Sequence, residues 1–196
     1  ELGLDPKKKL IFVAGGGGGA AIFSTVFREI APKILTEFDS QIFLLTGKNK
    51  AFSVADYAKK FEINVREKIN QNFIVKDFVS EEYPDLLNAC DVFITRAGAT
   101  SLAEAAVSET ATIIIPSPFL AGDHQTKNAE IFAEAGAAFS LKQNATEDKP
   151  DPKLAEEMQE KIQILLGKNG EKIRGELGKN LSKFARTDAL DQIIKM

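Results

Sequence analysis

The sequence predicts an α/β fold, a doubly wound parallel sheet of about six strands with helical C-terminal appendages. Three observations predict it. Six apolar runs of strand length alternate with helical patterns along the chain. Some runs, such as Thr112-Ile113-Ile114-Ile115, are apolar without alternation, which requires burial on both faces. The loops between elements are short, so each strand–helix–strand unit returns parallel to its predecessor.

The first strand, Leu10–Ala14, runs into five consecutive glycines, Gly15–Gly19, and then into Ala20-Ala21-Ile22-Phe23 and a helical pattern at 20–37. Without Cβ atoms this loop takes positive φ and lets a bulky group approach its N–H donors. The helix N-terminus behind it carries partial positive charge. Together they favour an anion, most often a phosphate; the competing reading is a turn that merely tolerates glycine. The second strand is Gln41–Thr46, with a helix at 51–68. Asn72–Val75 is the third and weakest, with a helix at 81–89. Asp91–Thr95 and Thr112–Pro116 follow, with helices at 99–108 and 125–135, and Ala138–Leu141 closes the series. Past the polar, turn-rich stretch Gln143–Pro152 the pattern is helical, at 152–167, 169–186 and 188–195. No internal repeat is present. Residues 1–196 read as one domain, with 8–150 as the core and 151–196 as C-terminal helices.

The 196 residues are 44% hydrophobic and 27% charged, an ordinary soluble composition long enough for one full core. Lys and Arg number 25 and Asp and Glu 28, a net charge of −3, which argues against a nucleic-acid partner. The single cysteine, Cys90, excludes an intrachain disulfide and suits a reducing compartment. Its apolar neighbours make it a buried small residue rather than a reactive thiol. No apolar run approaches the ~18 residues of a membrane span, and there is no signal peptide, so a cytoplasmic location is expected. The start, Glu1-Leu2-Gly3-Leu4-Asp5-Pro6, reads as a linker end or a cut rather than a natural beginning.

In an open parallel sheet the ligand lies at the carboxyl ends of the strands. Gly15–Gly19 falls there after the first strand, Phe78-Val79 after the third, Arg96-Ala97-Gly98-Ala99-Thr100 after the fourth, and Ser117–His124 after the fifth, with Gln125 and Asn128 opening the next helix. Glu104 stands one turn into a helix among Ala103, Ala105, Ala106 and Val107 and needs a partner. It could pair with Arg96 or accept two hydroxyl bonds from a ribose, and the sequence favours neither. The bland alternative for the whole set is that loops are polar and glycine-rich wherever they occur.

Nucleotide motifs narrow the choice. A P-loop needs Lys-Ser/Thr after its glycines, and Ala20-Ala21 stand there. A nicotinamide site needs an acid at the end of the second strand, where Thr46-Gly47-Lys48 is found. With one His, one Cys and no carboxylate cluster among the strand-end loops, no metal is expected.

Three segments taken together carry a resemblance. They are Gly15-Gly16-Gly17-Gly18-Gly19-Ala20; Asp91-Val92-Phe93-Ile94-Thr95-Arg96-Ala97-Gly98-Ala99-Thr100-Ser101-Leu102-Ala103-Glu104; and Asp123-His124-Gln125-Thr126-Lys127-Asn128-Ala129, followed by Gly136-Ala137-Ala138. They resemble the C-terminal half of the MurG family, the bacterial N-acetylglucosaminyltransferases that convert lipid I to lipid II. The family patterns are GGSxGA, D-x-x-[IV]-x-R-[SA]-G-A-x-T-x-x-E and D-x-Q-x-x-N-A. The second and third are specific together, the glycine loop is not, and the likeness covers roughly residues 8–190.

The resemblance implies one Rossmann-like domain of a two-domain (GT-B) inverting transferase. Glu104 would hold the ribose hydroxyls of UDP, and the Val79 backbone would read the uracil edge. Gly16, Gly17 and Gly18 would approach the phosphates with Arg96 alongside. Ala99 and Thr100 would meet the diphosphate through helix N-terminal N–H groups. Gln125 and Asn128 would bind the sugar hydroxyls. His124 is this chain's candidate general base, although inverting members take the base from the other half. Gly17 stands where the family has serine, so a hydroxyl to phosphate is lost. The implied substrate is UDP-GlcNAc, with no metal or other cofactor. The implied partner is an N-terminal acceptor-binding domain, outside this chain, that carries the lipid-linked acceptor. The complete enzyme would be peripheral at the inner face of the cell membrane. The alternatives are a UDP-galactose or UDP-glucose diacylglycerol glycosyltransferase, and a non-catalytic nucleotide-binding scaffold.

Overall fold

The computed structural model describes residues 2–48, 50–119 and 123–185. Six parallel strands form one sheet: β1 (Lys9–Ala14), β2 (Ser40–Leu45), β3 (Phe73–Lys76), β4 (Val92–Thr95), β5 (Thr112–Ile114) and β6 (Ala138–Ser140). Their spatial order is β3-β2-β1-β4-β5-β6. The chain winds outward from β1 to one edge, returns, and winds outward to the other, so β1 and β4 meet at a topological switch point.

The helices follow the predicted alternation: α1 (Ala21–Glu37), α2 (Val54–Ala58), α3 (Ile63–Asn72), α4 (Tyr83–Ala89), α5 (Ala99–Val107), α6 (His124–Glu134), α7 (Pro152–Leu166) and α8 (Gly170–Leu181), with a 3-10 turn at Ser182–Phe184. One helix was expected at 51–68, and two short ones stand there. The Arg66 guanidinium donates to the Lys59 and Phe61 carbonyls, capturing acceptors that a continuous helix would have used. The Tyr57 hydroxyl donates to Arg28 O on α1 at 2.5 Å, which fixes α2 against that helix. The helix expected to reach 186 ends at Leu181 before the 3-10 turn. The helix expected at 188–195 lies outside the described residues.

Alternate residues of β1 feed two cores. Ile11 and Val13 join the α1, α3 and α7 side with Phe23, Phe27, Ile34, Ile69 and Ile162. Leu10, Phe12 and Ala14 join the α4 and α5 side with Leu86, Phe93 and Ala105. Burial on both faces explains why β1, β2, β4 and β5 carry unbroken apolar runs. Phe12 sits opposite Phe43 and Phe93 in register. Its ring packs on theirs at 6.1 and 5.4 Å and on Tyr83 at 5.3 Å. These rings form a floor under the switch point and fix the start of α4 to it.

Between β6 and α7, Asp151 caps α7 by accepting from Leu154 N and also accepts from the N–H groups of Asn144 and Ala145. Burial works against its carboxylate, and these backbone bonds outweigh it, holding the pKa below the ordinary value. The polar, turn-rich stretch is therefore a pinned loop, and it reaches the start of α1 through Glu147. Cys90 is buried, and its thiol donates to the Leu87 carbonyl. Burial pushes its pKa up, so the thiolate is disfavoured.

Candidate functional site

A cleft of ≈ 610 Å³ opens at the carboxyl edge of the sheet, at the ends of β1 and β4. α1 leaves over one face and α5 over the other, so no helix covers this point. Ala14, Gly16 and Gly17 form one wall. Leu45, Gly47 and the segment Phe78–Ser80 form the far end. Gly98–Ser101 and Glu104 form the opposite wall, with Tyr83 closing the corner.

The glycine run divides into two parts. Gly19 has φ +68, and a Cβ there would lie 2.0 Å from the Thr46 carbonyl oxygen. The β1–α1 loop therefore presses backbone to backbone on the end of β2, and glycine is required for that contact. At Gly16, Gly17 and Gly18 a Cβ would meet nothing within 4 Å. Gly16 and Gly17 face the cleft; Gly18 turns away, its carbonyl accepting from Lys50 Nζ at 3.1 Å.

The start of α1 already holds an anion. Ile22 N–H donates to Glu147 Oε2 at 3.4 Å, and the other oxygen of that carboxylate is paired with Arg96. Arg96 was expected among the ligand-binding residues and is placed elsewhere. It is 5% exposed and off the cleft wall. Its guanidinium donates to Ile115 O at 3.1 Å and Gln143 Oε1 at 2.7 Å, and it lies 5.3 Å from the Phe23 ring centroid. Burial pulls its pKa down from the usual arginine range, and Glu147 opposes that shift. The pairing of Arg96 with Glu104 that the sequence left open does not form, because Glu147 takes the guanidinium.

Glu104 instead faces the cleft, half-buried beside Tyr83. The Tyr83 phenol is pushed up in pKa by burial, and the adjoining carboxylate reinforces the shift. The start of α5 has no side-chain cap; Gly98 stands at its N-cap in extended conformation. Its first residues, Ala99, Thr100 and Ser101, line the cleft. Val79 is buried at the far end, and next to it Phe78 is 65% exposed. The sequence placed Phe78 in the right loop without assigning it a role. A large aromatic residue just past a strand's carboxyl end, the edge where ligands lie in such a sheet, was the signal that could have found it.

The structure thus brings together Gly16, Gly17, Val79, Ala99, Thr100 and Glu104. His124, Gln125 and Asn128 stand one strand over, at the start of α6, off this wall. Gln125 Oε1 accepts from Ser117 N at 2.9 Å and Asn128 Nδ2 donates to Ala97 O at 3.1 Å, so each steadies a loop of the site edge with one half of its amide. Among the described residues no partner takes the other halves, a Gln125 donor and an Asn128 acceptor. His124 is exposed. Among the described residues no three His, Cys, Asp or Glu side chains cluster as metal ligands, and no helix is long and apolar enough to cross a membrane.

Residues 10–187 match the family described as the glycosyltransferase family 28 C-terminal domain. The chain is 30% identical over 145 residues to a Natranaerobius thermophilus protein, the alignment covering 74% of this chain and 38% of that one. That relative is named UDP-N-acetylglucosamine–N-acetylmuramyl-(pentapeptide) pyrophosphoryl-undecaprenol N-acetylglucosamine transferase. The crystal structure of Acinetobacter baumannii MurG superposes with a TM-score of 0.67 at 21% identity, over 98% of this chain and 50% of that one. A Staphylococcus aureus MnaA–UDP structure superposes at 0.62 with 12% identity, over 95% of this chain and 44% of that one. These two likenesses establish the fold, a Rossmann-like domain of the GT-B kind. The chain spans about two-fifths of the length of the curated relatives it matches.

Proposed function

The chain belongs to the glycosyltransferase family 28 C-terminal domains, and on that footing we propose that it is the UDP-GlcNAc-binding half of an inverting N-acetylglucosaminyltransferase of peptidoglycan synthesis. The observation that carries this reading is the cleft at the switch point, where an uncapped helix start, a half-buried carboxylate and an exposed ring line one cavity. Each suits one part of a nucleoside diphosphate. Phe78 offers a face to the uracil while the Val79 backbone meets its edge. Glu104 accepts the two ribose hydroxyls. The N–H groups that open α5 meet the diphosphate. The N-acetylglucosamine then extends toward α6, where Gln125 donates to a sugar hydroxyl and Asn128 accepts from one.

In the transfer, an acceptor hydroxyl attacks the anomeric carbon as its bond to the β-phosphate oxygen breaks. Negative charge grows on the departing UDP, and the α5 N–H groups stabilise it without a metal ion. The acceptor and the base come from an N-terminal domain, whose closure over the cleft excludes water. The lipid-linked acceptor would hold the complete enzyme at the membrane's inner face.

Calorimetric titration of UDP, UDP-GlcNAc and UDP-galactose, each with and without a chelator, tests the reading. UDP and UDP-GlcNAc are expected to bind and the chelator to change nothing. Preference for UDP-galactose moves the assignment to a glycolipid transferase, strict dependence on a divalent ion or no nucleotide binding overturns the site chemistry, and nucleotide binding without transfer when the N-terminal half is supplied leaves the scaffold reading. Transfer to a lipid-linked acceptor is expected to be negligible for this domain alone and restored by the N-terminal half.

A further inference from the structure

α1 and α5 both start beside the cleft, and among the described residues a carboxylate meets the start of α1 and none meets the start of α5. At α1, Ile22 N–H points at the Glu147 carboxylate, which lies on the buried Arg96 guanidinium. Arg96 is fixed from the other side by Ile115 O and by Gln143, and Gln143 Nε2 donates to Ala145 O within the same loop at 2.7 Å. Asp151 pins that loop from below through Asn144 N and Ala145 N. Glu147 is therefore built into place by a loop whose backbone is held at both ends. At α5 no side chain caps the helix, and Ala99 and Thr100 line the cleft.

We infer that Glu147, positioned by Arg96, is an internal anion that occupies the start of α1 and thereby assigns the donor's phosphates to the start of α5. The pair is a specificity-determining device that acts by exclusion, and the inference rests on the UDP-sugar reading above. A helix start attracts one anion, and a second negative group beside Glu147 meets repulsion instead of attraction. The glycine loop still forms a wall of the cleft through Gly16 and Gly17, but the helix behind it is electrostatically filled. Arg96 completes the device. It holds one carboxylate oxygen while the other meets the Ile22 amide, and so fixes the partly exposed carboxylate at the helix start.

The test is amide-resolved NMR of the whole chain, titrated first with inorganic phosphate and then with UDP. In the wild-type chain phosphate is expected to leave the Ile22 amide in place. In Glu147→Ala, phosphate is expected to replace the missing carboxylate: the Ile22 amide shifts, phosphate binds about tenfold more tightly than to the wild type, and the melting temperature rises with phosphate concentration. Asp148→Ala removes a charge from the same loop and is expected to show none of this, so a general loss of negative charge does not mimic the result. If Glu147→Ala does not fold, Glu147→Gln keeps the shape and loses the charge, and the same Ile22 response is expected from it. Failure of the variant to gain a phosphate response at Ile22 overturns the inference, whatever UDP does. In the UDP arm the Ala99 and Thr100 amides are expected to move and Ile22 to stay. A UDP response at Ile22 without one at Ala99 and Thr100 also overturns it. A chain that binds no UDP but gains phosphate binding in Glu147→Ala retains the internal anion and loses only the donor reading.

Discussion

The turns Gly15–Gly19 and Arg96–Gly98 lead from neighbouring strands into helices on opposite faces of the sheet, and they differ in what fills them. The first is crowded by protein. Gly19 touches the end of β2, Lys50 reaches the Gly18 carbonyl, and Glu147 meets the start of α1. The second opens into the cleft with its helix uncapped. The five-glycine run is the louder feature of the sequence, yet the quieter turn, with one glycine, has the free helix start. Glycine at a strand end reports close approach of something, and that something is as readily a backbone as a ligand.

The sharpest way to break the comparison is inside the crowded turn. Gly19→Ala places a methyl group against a carbonyl at a positive φ, so neither rotation nor side-chain rearrangement relieves it. A loss of about 3 kcal/mol or more in urea unfolding is expected from the combined clash and strain. Gly17→Ala, two residues away in open space, is expected to stay within about 0.5 kcal/mol of the parent. Equal effects at the two positions would show that the run acts as one flexible loop and not as a packed half and an open half.

The same contrast marks what the sequence reveals and what it hides. Strands such as Ile11–Val13 and Thr112–Ile114 were legible because burial on both faces leaves an unbroken apolar run. Phe73–Lys76 was weak for the converse reason, since it is an edge strand whose last residues are partly exposed. The break between α2 and α3 was hidden because its cause is tertiary, the Tyr57 bond to α1 and the Arg66 bonds across the turn. Among the candidate site residues, the strand-end rule picked out the loops after β1, β3 and β4, which line the cleft, and one after β5 whose described residues do not; family likeness supplied roles that await experiment. Arg96 sits in the right loop and points away from the cleft. Its partners Gln143 and Glu147 lie 47 and 51 residues further on, and no local pattern announces that pairing. Phe78 was underweighted because a lone phenylalanine after a strand usually belongs to a core.

In the open half, the largest effect on nucleotide binding is expected at Glu104. Glu104→Gln keeps the shape and removes the charge from two hydroxyl bonds, which should cost roughly 1.5–3 kcal/mol of UDP affinity by calorimetry. The fold should be unaffected, since Arg96 is paired with Glu147 and not with this carboxylate. A lowered melting temperature with unchanged UDP affinity would make Glu104 structural, acting through Tyr83. Phe78→Ala should weaken UDP by about 1 kcal/mol through lost stacking on the base. Its ring is 65% exposed, so stability should not change. Uridine should lose as much as UDP from Phe78→Ala, and inorganic phosphate should lose nothing.

The smallest effect is expected where this chain departs from its family. Gly17 takes the place of a serine, it borders the cleft, and a Cβ there would meet no atom within 4 Å. Its φ lies outside the positive region, so a side chain adds no backbone strain. Gly17→Ser therefore restores a hydroxyl at no packing cost and reduces the conformational freedom of the unfolded chain, which leaves stability unchanged or raised by a few tenths of a kcal/mol. If the diphosphate lies between the two turns, the new hydroxyl reaches it from the glycine side and UDP affinity should rise by about 0.5–1 kcal/mol, the worth of one hydrogen bond. Uridine, which lacks the phosphates, should bind as before. An equal gain for uridine would place the hydroxyl on the nucleoside instead. No gain for either would mean that the phosphates lie wholly against α5, so that the open half of the glycine run serves as a wall and not as a ligand.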